Sequence, residues 1–166
     1  MSQNDPYWDA FIHRAPADPN NLITHAFAHV QPGEVNPVKS EVHSPNVMAG
    51  HIKELGRFFG ADRVGIVALA GDRAGFSAIV CTLKTEFDTR SAGGIGGQAP
   101  ALKGLFVSFN LCAVIKEMGY RATRTTDERD RLAGLVGVGV QGPGRHVAEV
   151  VCTDLPLAPD QHEVLV

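Results

Sequence analysis

Cysteine is scarce in this chain: Cys81, Cys112 and Cys152 are its only 3 in 166 residues, and no Cys-x-x-Cys pair occurs. Without such a pair neither an iron–sulfur cluster nor a thiolate zinc site can be assembled locally. Thiols so widely spaced, each in an apolar setting, read as buried groups rather than a disulfide framework. No apolar run is long enough to span a bilayer. The start, MSQNDPYWDAFIHRAPADPN, has neither a basic stretch leading into an apolar one nor a twin arginine, so a cytoplasmic address is expected by default. An excess of charge is missing too. With 15 Lys and Arg against 18 Asp and Glu the net charge is −3, and no basic cluster interleaves with aromatics, which removes the electrostatic case for nucleic acid. Motifs of nucleophilic catalysis are likewise absent. No Gly-x-Ser-x-Gly occurs, which leaves Ser77 and Ser108 as background, and Gly93-Gly94-Ile95-Gly96-Gly97 lacks the Lys-Ser/Thr of a phosphate loop.

What is present is an ordinary globular composition, 44% hydrophobic and 20% charged, enough for one well-buried core. Glycine is abundant, 18 residues against 10 prolines, and clustered. One cluster is Gly93, Gly94, Gly96 and Gly97; the other is Gly134, Gly137, Gly139, Gly142 and Gly144. Glycine lets backbone approach a ligand closely, so such loops can line a flat cofactor; flexible surface loops are the alternative reading.

Along the chain, residues 1–45 read as an N-terminal arm with a short helix, Leu22 to Val30, and residues 46–166 as the main domain. Residues 31–44 show no period and read as loop. Ser44-Pro45 starts a helix with serine as cap, Met48, Ile52, Leu55 and Phe59 sharing one face and Gly60 ending it. Val64–Leu69 is a continuous apolar run best placed inside a sheet covered on both faces. Phe76–Leu83 is a second strand, and Thr85–Gln98 a glycine-rich excursion. The spacing predicts a long helix over 100–118 that packs Leu105, Phe109 and Ile115 on the sheet, with Gly119 as its left-handed cap. Tyr120–Arg124 is a third strand. Thr125 and Glu128 have capping-box spacing for a short helix ending near Leu132 or Ala133, and Val147–Cys152 closes the sheet. The expected fold class is α/β (α+β), a single central sheet with packed helices.

Four stretches in this order, HIKELGRFFGADRVGIVAL, GFSAIVCTLKTEF, IKEMGYRATR and LAGLVGVGVQGPGRHVAEVVCTDLPLAPD, resemble the corrinoid-binding domain of cobalamin-dependent reductive dehalogenases and epoxyqueuosine reductases. That resemblance implies a nitroreductase-like fold holding cobalamin without a histidine ligand. It assigns cofactor binding to Gly134, Leu135, Gly137, Gly139, Gly142 and Gly144, which match the family's Gly-rich loop, with Thr85–Gln98 as a second wall. The match has gaps. The family's Cys-x2-Cys-x2-Cys-x3-Cys-Pro runs do not occur in these residues, and its proton-donating tyrosine has no counterpart in Ile95-Gly96-Gly97-Gln98-Ala99-Pro100. The basic residue beside the family's loop has only Arg145 as a substitute. The expectation is therefore a small corrinoid-binding, carrier or sensor module, or a subunit served by an external electron donor or acceptor protein, rather than a reductive dehalogenase. A flavin (FMN)- or corrinoid-dependent nitroreductase-fold reductase and a cofactor-free interaction domain stay open as alternatives, as does a homodimer. His25 and His29, four apart, with His43 and His51 nearby, are compatible with a metal site, but no carboxylate completes a known motif and no metal is assigned. Asp127-Glu128-Arg129-Asp130-Arg131 reads as a solvated helix face.

Overall fold

The computed structural model of the chain describes Val30 and residues 32–84, 95–126, 129–135 and 146–160. Serine and proline begin the first helix as their chemistry dictates: α1 spans Pro45–Phe58, and the Ser44 side chain accepts a hydrogen bond from the Val47 amide. It ends at Gly60, whose φ of 115° lets the Ala61 amide reach back to the Gly56 carbonyl. Then follow β1 (Arg63–Ala68), a short 3-10 turn (Gly71–Arg73), β2 (Ser77–Lys84), α2 (Ile95–Glu117), β3 (Ala122–Thr125), α3 (Arg129–Leu135) and β4 (His146–Thr153). Among the described residues the strands form one antiparallel sheet in the order β1-β2-β4-β3, an α+β fold. No helix among the described residues is long and apolar enough to cross a membrane.

Alternation along the strands divides the core in two. Val64, Ile66, Ile79, Cys81, Leu83, Ala122 and Val151 face α1 and α2, where Ile52, Val107, Leu111, Cys112 and Ile115 meet them. Ala78, Val80, Ala148 and Val150 face the other way, onto Leu132 and Ala133 of α3. Each fully buried Leu or Ile in these layers contributes roughly 1.5–3 kcal/mol.

Several expectations need correction. β1 is buried at Val64–Ile66, yet among the described residues it is an edge strand rather than an inner one. Its outer edge is covered by the tail instead. The Ile66 amide donates to the Asp160 carboxylate (2.9 Å), the Asp160 amide donates to the Ile66 carbonyl (2.9 Å), and Lys53 of α1 pairs with the same carboxylate. An edge so capped tolerates an apolar run. The long helix begins at Ile95, so Pro100 falls in its second turn and Gly96 and Gly97 are helical. A core-packed helix propagates through weak formers once its buried turns are fixed. Its sheet-facing side is Val107, Ser108, Leu111, Cys112 and Ile115; Leu105 and Phe109 are half-buried and Phe106 is 47% exposed. The helix is apolar nearly all round, which hides its true face from periodicity. β3 starts at Ala122 rather than Tyr120, because the Arg121 amide turns aside to donate to Asp154 (2.7 Å). Thr125 pairs with Val150 as the last residue of that strand, and Glu128, its expected capping-box partner, lies outside the described residues.

Residues 32–40, expected to be loop, form a fixed strap over the end of α2. The Asn36 amide donates to the Lys116 carbonyl (2.9 Å), the Ser40 amide to the Met118 carbonyl (2.8 Å), and Lys116 Nζ to the Pro32 carbonyl (2.9 Å). The first two bonds employ carbonyls that any helix C-terminus leaves unsatisfied. The expected helix over 22–30 lies outside the described residues except for Val30.

Candidate functional site

Strand pairing brings together Lys84, after which one singled-out segment begins, and His146, before which the other ends. Lys84, the last residue of β2, is the Cα partner of His146, the first of β4. The chain leaves the sheet at Lys84 toward α2 and re-enters it at His146 from α3. Residues 85–94 and 136–145 are therefore joined to neighbouring positions at one end of the sheet. Of the residues assigned to cofactor binding, Gly134 and Leu135 belong to the last turn of α3 rather than to a loop. Gly134 is exposed, and a Cβ added there would meet nothing within 4 Å. Gly137, Gly139, Gly142 and Gly144 lie outside the described residues, as do Gly93, Gly94, Arg145, His25 and His29.

Polar residues that sequence reasoning passed over sit at this same end. On the α2 side is Glu149, 3% exposed, the Cα partner of Cys81. Helix α2 crosses so near that a Cβ at Gly104 would stand 2.7 Å from Glu149 Cγ, so only glycine fits there without displacing the carboxylate. On the α3 side, Thr82 is fully buried and its hydroxyl has no hydrogen-bond partner among the described residues. Thr82 pairs with Arg63 of β1 on one side and Ala148 of β4 on the other. The signal for both residues was available: one polar residue inside the apolar runs SAIVCTLK and HVAEVVCT has to be explained by what it bonds.

None of the three cysteines forms a disulfide. Burial, reinforced by Glu149 and Cys112, pushes the Cys81 thiol up to about 12. Burial also raises Cys112 to about 12, against the opposing pull of Arg124 and Lys116. Neither is a nucleophile at neutral pH. In the unfolded chain both thiols ionise near pH 8.5–9. Between that pH and about 12 the unfolded state binds fewer protons than the folded one, so stability falls as pH rises, by up to about 1.4 kcal/mol per pH unit per thiol. Urea midpoints measured from pH 8 to 11 are expected to decline, and less steeply in Cys112→Ala. An identical slope in that variant would show that the buried thiol titrates normally.

The remaining candidates do not converge. His43 is exposed beside Glu41 (3.5 Å), and His51 is exposed on α1. Among the described residues no group of three or more His, Cys, Asp or Glu side chains is placed to hold a metal ion. Ser108 Oγ donates within its own helix to the Leu105 carbonyl (3.1 Å). A groove of about 480 Å³ runs between α1 and α2, lined by Met48, Leu55, Phe58, Val114 and Met118 with His51 and Glu54 at its rim. It lies toward the opposite end of α2 from Gly104.

No protein-family model matches the chain, and no curated protein matches it in sequence. Solved structures do match. The catabolic reductive dehalogenase NpRdhA, N-terminally tagged, is similar with a TM-score of 0.73 and 20% identity over 86% of this chain and 24% of that one. A reductive dehalogenase structure described as suggesting a mechanism for B12-dependent dehalogenation gives 0.71 and 22% over 86% and 24%. NpRdhA in complex with 3-bromo-4-hydroxybenzoic acid gives 0.71 and 20% over 87% and 24%. The chain thus spans about a quarter of the length of these dehalogenases. At such identities the likeness is one of architecture: the chain shares the fold of that quarter of these reductive dehalogenases.

Proposed function

We propose that this protein binds a corrinoid at the sheet end where Lys84 pairs with His146, and serves as a binding or carrier module or as a subunit with a separate electron donor. The observation that carries the reading is that pairing: the residue from which one glycine-rich segment leaves the sheet lies beside the residue at which the other returns, in a fold of the dehalogenase type. Support comes from Gly134 at the end of α3, where a Cβ would meet nothing within 4 Å, so that a planar group has room to approach the backbone. Gly134 and Leu135 would contribute one wall together with Gly137, Gly139, Gly142 and Gly144. When bound, the group supplies a cobalt centre capable of redox change; the chain's own part is to bind it, orient it and exclude water.

Titration with hydroxocobalamin, read as a shift of its visible bands, tests the proposal. Wild-type protein is expected to bind saturably, and Gly137→Val or Gly139→Val to abolish binding with little change in thermal midpoint, because a side chain would fill space needed by the ring. His25→Ala with His29→Ala is expected to leave affinity within a few-fold. Absence of saturable binding below about millimolar, roughly 4 kcal/mol, would sink the proposal. Yellow protein carrying FMN would replace corrinoid with flavin.

A further inference from the structure

We infer that Arg63, Thr82 and Lys84 form a phosphate-recognising subsite on the α3 side of the same sheet end. Within the proposed function it would take the phosphodiester of a cobalamin's nucleotide tail, so its assignment to a corrinoid rests on that reading. Three observations meet here. Alternation fixes the face: Val67, Ala78, Val80 and Ala148 pack toward α3, so Arg63 and Thr82, which pair with each other, and Lys84, two residues on, point to that side as well. The Arg63 and Lys84 side chains are exposed. Between them in the strand pattern lies a hydroxyl shielded from solvent and lacking any partner among the described residues. A buried hydroxyl without a hydrogen bond is costly to a folded protein, and an incoming ligand oxygen removes that cost. Two cations flanking one donor suit an oxyanion, and a bond from a shielded hydroxyl to charged oxygen is stronger than a neutral one. Asp62, on the adjoining turn, has its carboxylate engaged by the Lys84 backbone amide.

The experiment compares hydroxocobalamin with cobinamide, which lacks the nucleotide and its phosphate, and with inorganic phosphate alone at constant ionic strength. Wild-type protein is expected to prefer hydroxocobalamin over cobinamide at least tenfold. Arg63→Gln with Lys84→Gln, at exposed positions, and Thr82→Val are each expected to reduce that preference below about threefold while cobinamide affinity holds. Thr82→Ser, which keeps the hydroxyl, is expected to retain the preference. Without ligand, Thr82→Val is expected to melt at or about 2–4 °C above wild type, because it deletes an unsatisfied group. A lower midpoint would mean that the hydroxyl already has a partner, and would overturn the inference. Equal preference in wild type and variants would overturn it too, leaving corrinoid binding intact. If neither corrinoid binds but phosphate raises the melting temperature of wild type and not of the Arg63/Lys84 variant, the anion site stands and the corrinoid reading fails. If neither corrinoid nor phosphate has an effect, both fall.

Discussion

Replacement of Leu111 by aspartate is expected to leave no folded protein. Leu111 has no solvent exposure and lies where α2 crosses the sheet, in the layer shared with Ile79, Cys81, Val107, Ile115 and Val151. The change removes an apolar side chain worth roughly 1.5–3 kcal/mol. It also places a carboxylate without a partner in that layer, a cost of several kcal/mol more. The two together approach the whole stability of an ordinary domain, about 5–15 kcal/mol. Circular dichroism and the soluble fraction on expression read the outcome directly. Phe109→Asp is the comparison: Phe109 is half-buried, so that variant should be weakened yet recoverable in folded form. A soluble Leu111→Asp protein with the wild-type midpoint would mean that α2 packs on the sheet through a different face.

Gly119→Ala is expected to cost roughly 2–5 kcal/mol, an unusual amount for the addition of one methyl group. Gly119 has φ 86°, a conformation that suits glycine and closes α2: the Gly119 amide donates to the Lys116 carbonyl (3.0 Å) and the Tyr120 amide to the Ile115 carbonyl (3.2 Å). Alanine there is strained by its own backbone. It also collides with the strap, since its Cβ would lie 2.6 Å from both Lys39 Cα and the Val38 carbonyl oxygen. Those are backbone atoms, so no rotamer relieves the contact. The strap is held by the Tyr120 hydroxyl donating to the Ser40 carbonyl (2.7 Å) and by Lys39 Nζ over the Tyr120 ring at 4.5 Å. The expected signs are a lower urea midpoint and faster amide exchange at Ser40. A loss under about 1 kcal/mol would mean that the strap yields freely, and that only the backbone strain was real.

Gly119 also marks how far the sequence could be read. Its role as a left-handed cap was legible, because an apolar helical run followed by glycine has a local cause. The same holds for Ser44-Pro45 at the start of α1, for Gly60 at its end, and for the four strands to within two residues at either end. The dehalogenase-like architecture was legible from the order of four short stretches. The face of α2 was not, because a helix apolar nearly all round carries no period to show which side meets the sheet. Nor was the position of β1 at an edge. Its run of buried residues has the composition of an inner strand, and the Asp160 contacts that make an edge acceptable come from residues far along the chain.

At the candidate site the division is the same. The sequence by itself determined which residues are glycine-rich and which two segments stand out, since backbone freedom is a property of the residue. Only the tertiary structure decided that these segments attach side by side, through the Lys84–His146 pairing, and that Arg63, Thr82 and Lys84 share one face. Strand register sets both. It is fixed by how buried side chains from distant segments pack against α2 and α3, so no local pattern in the chain contains it.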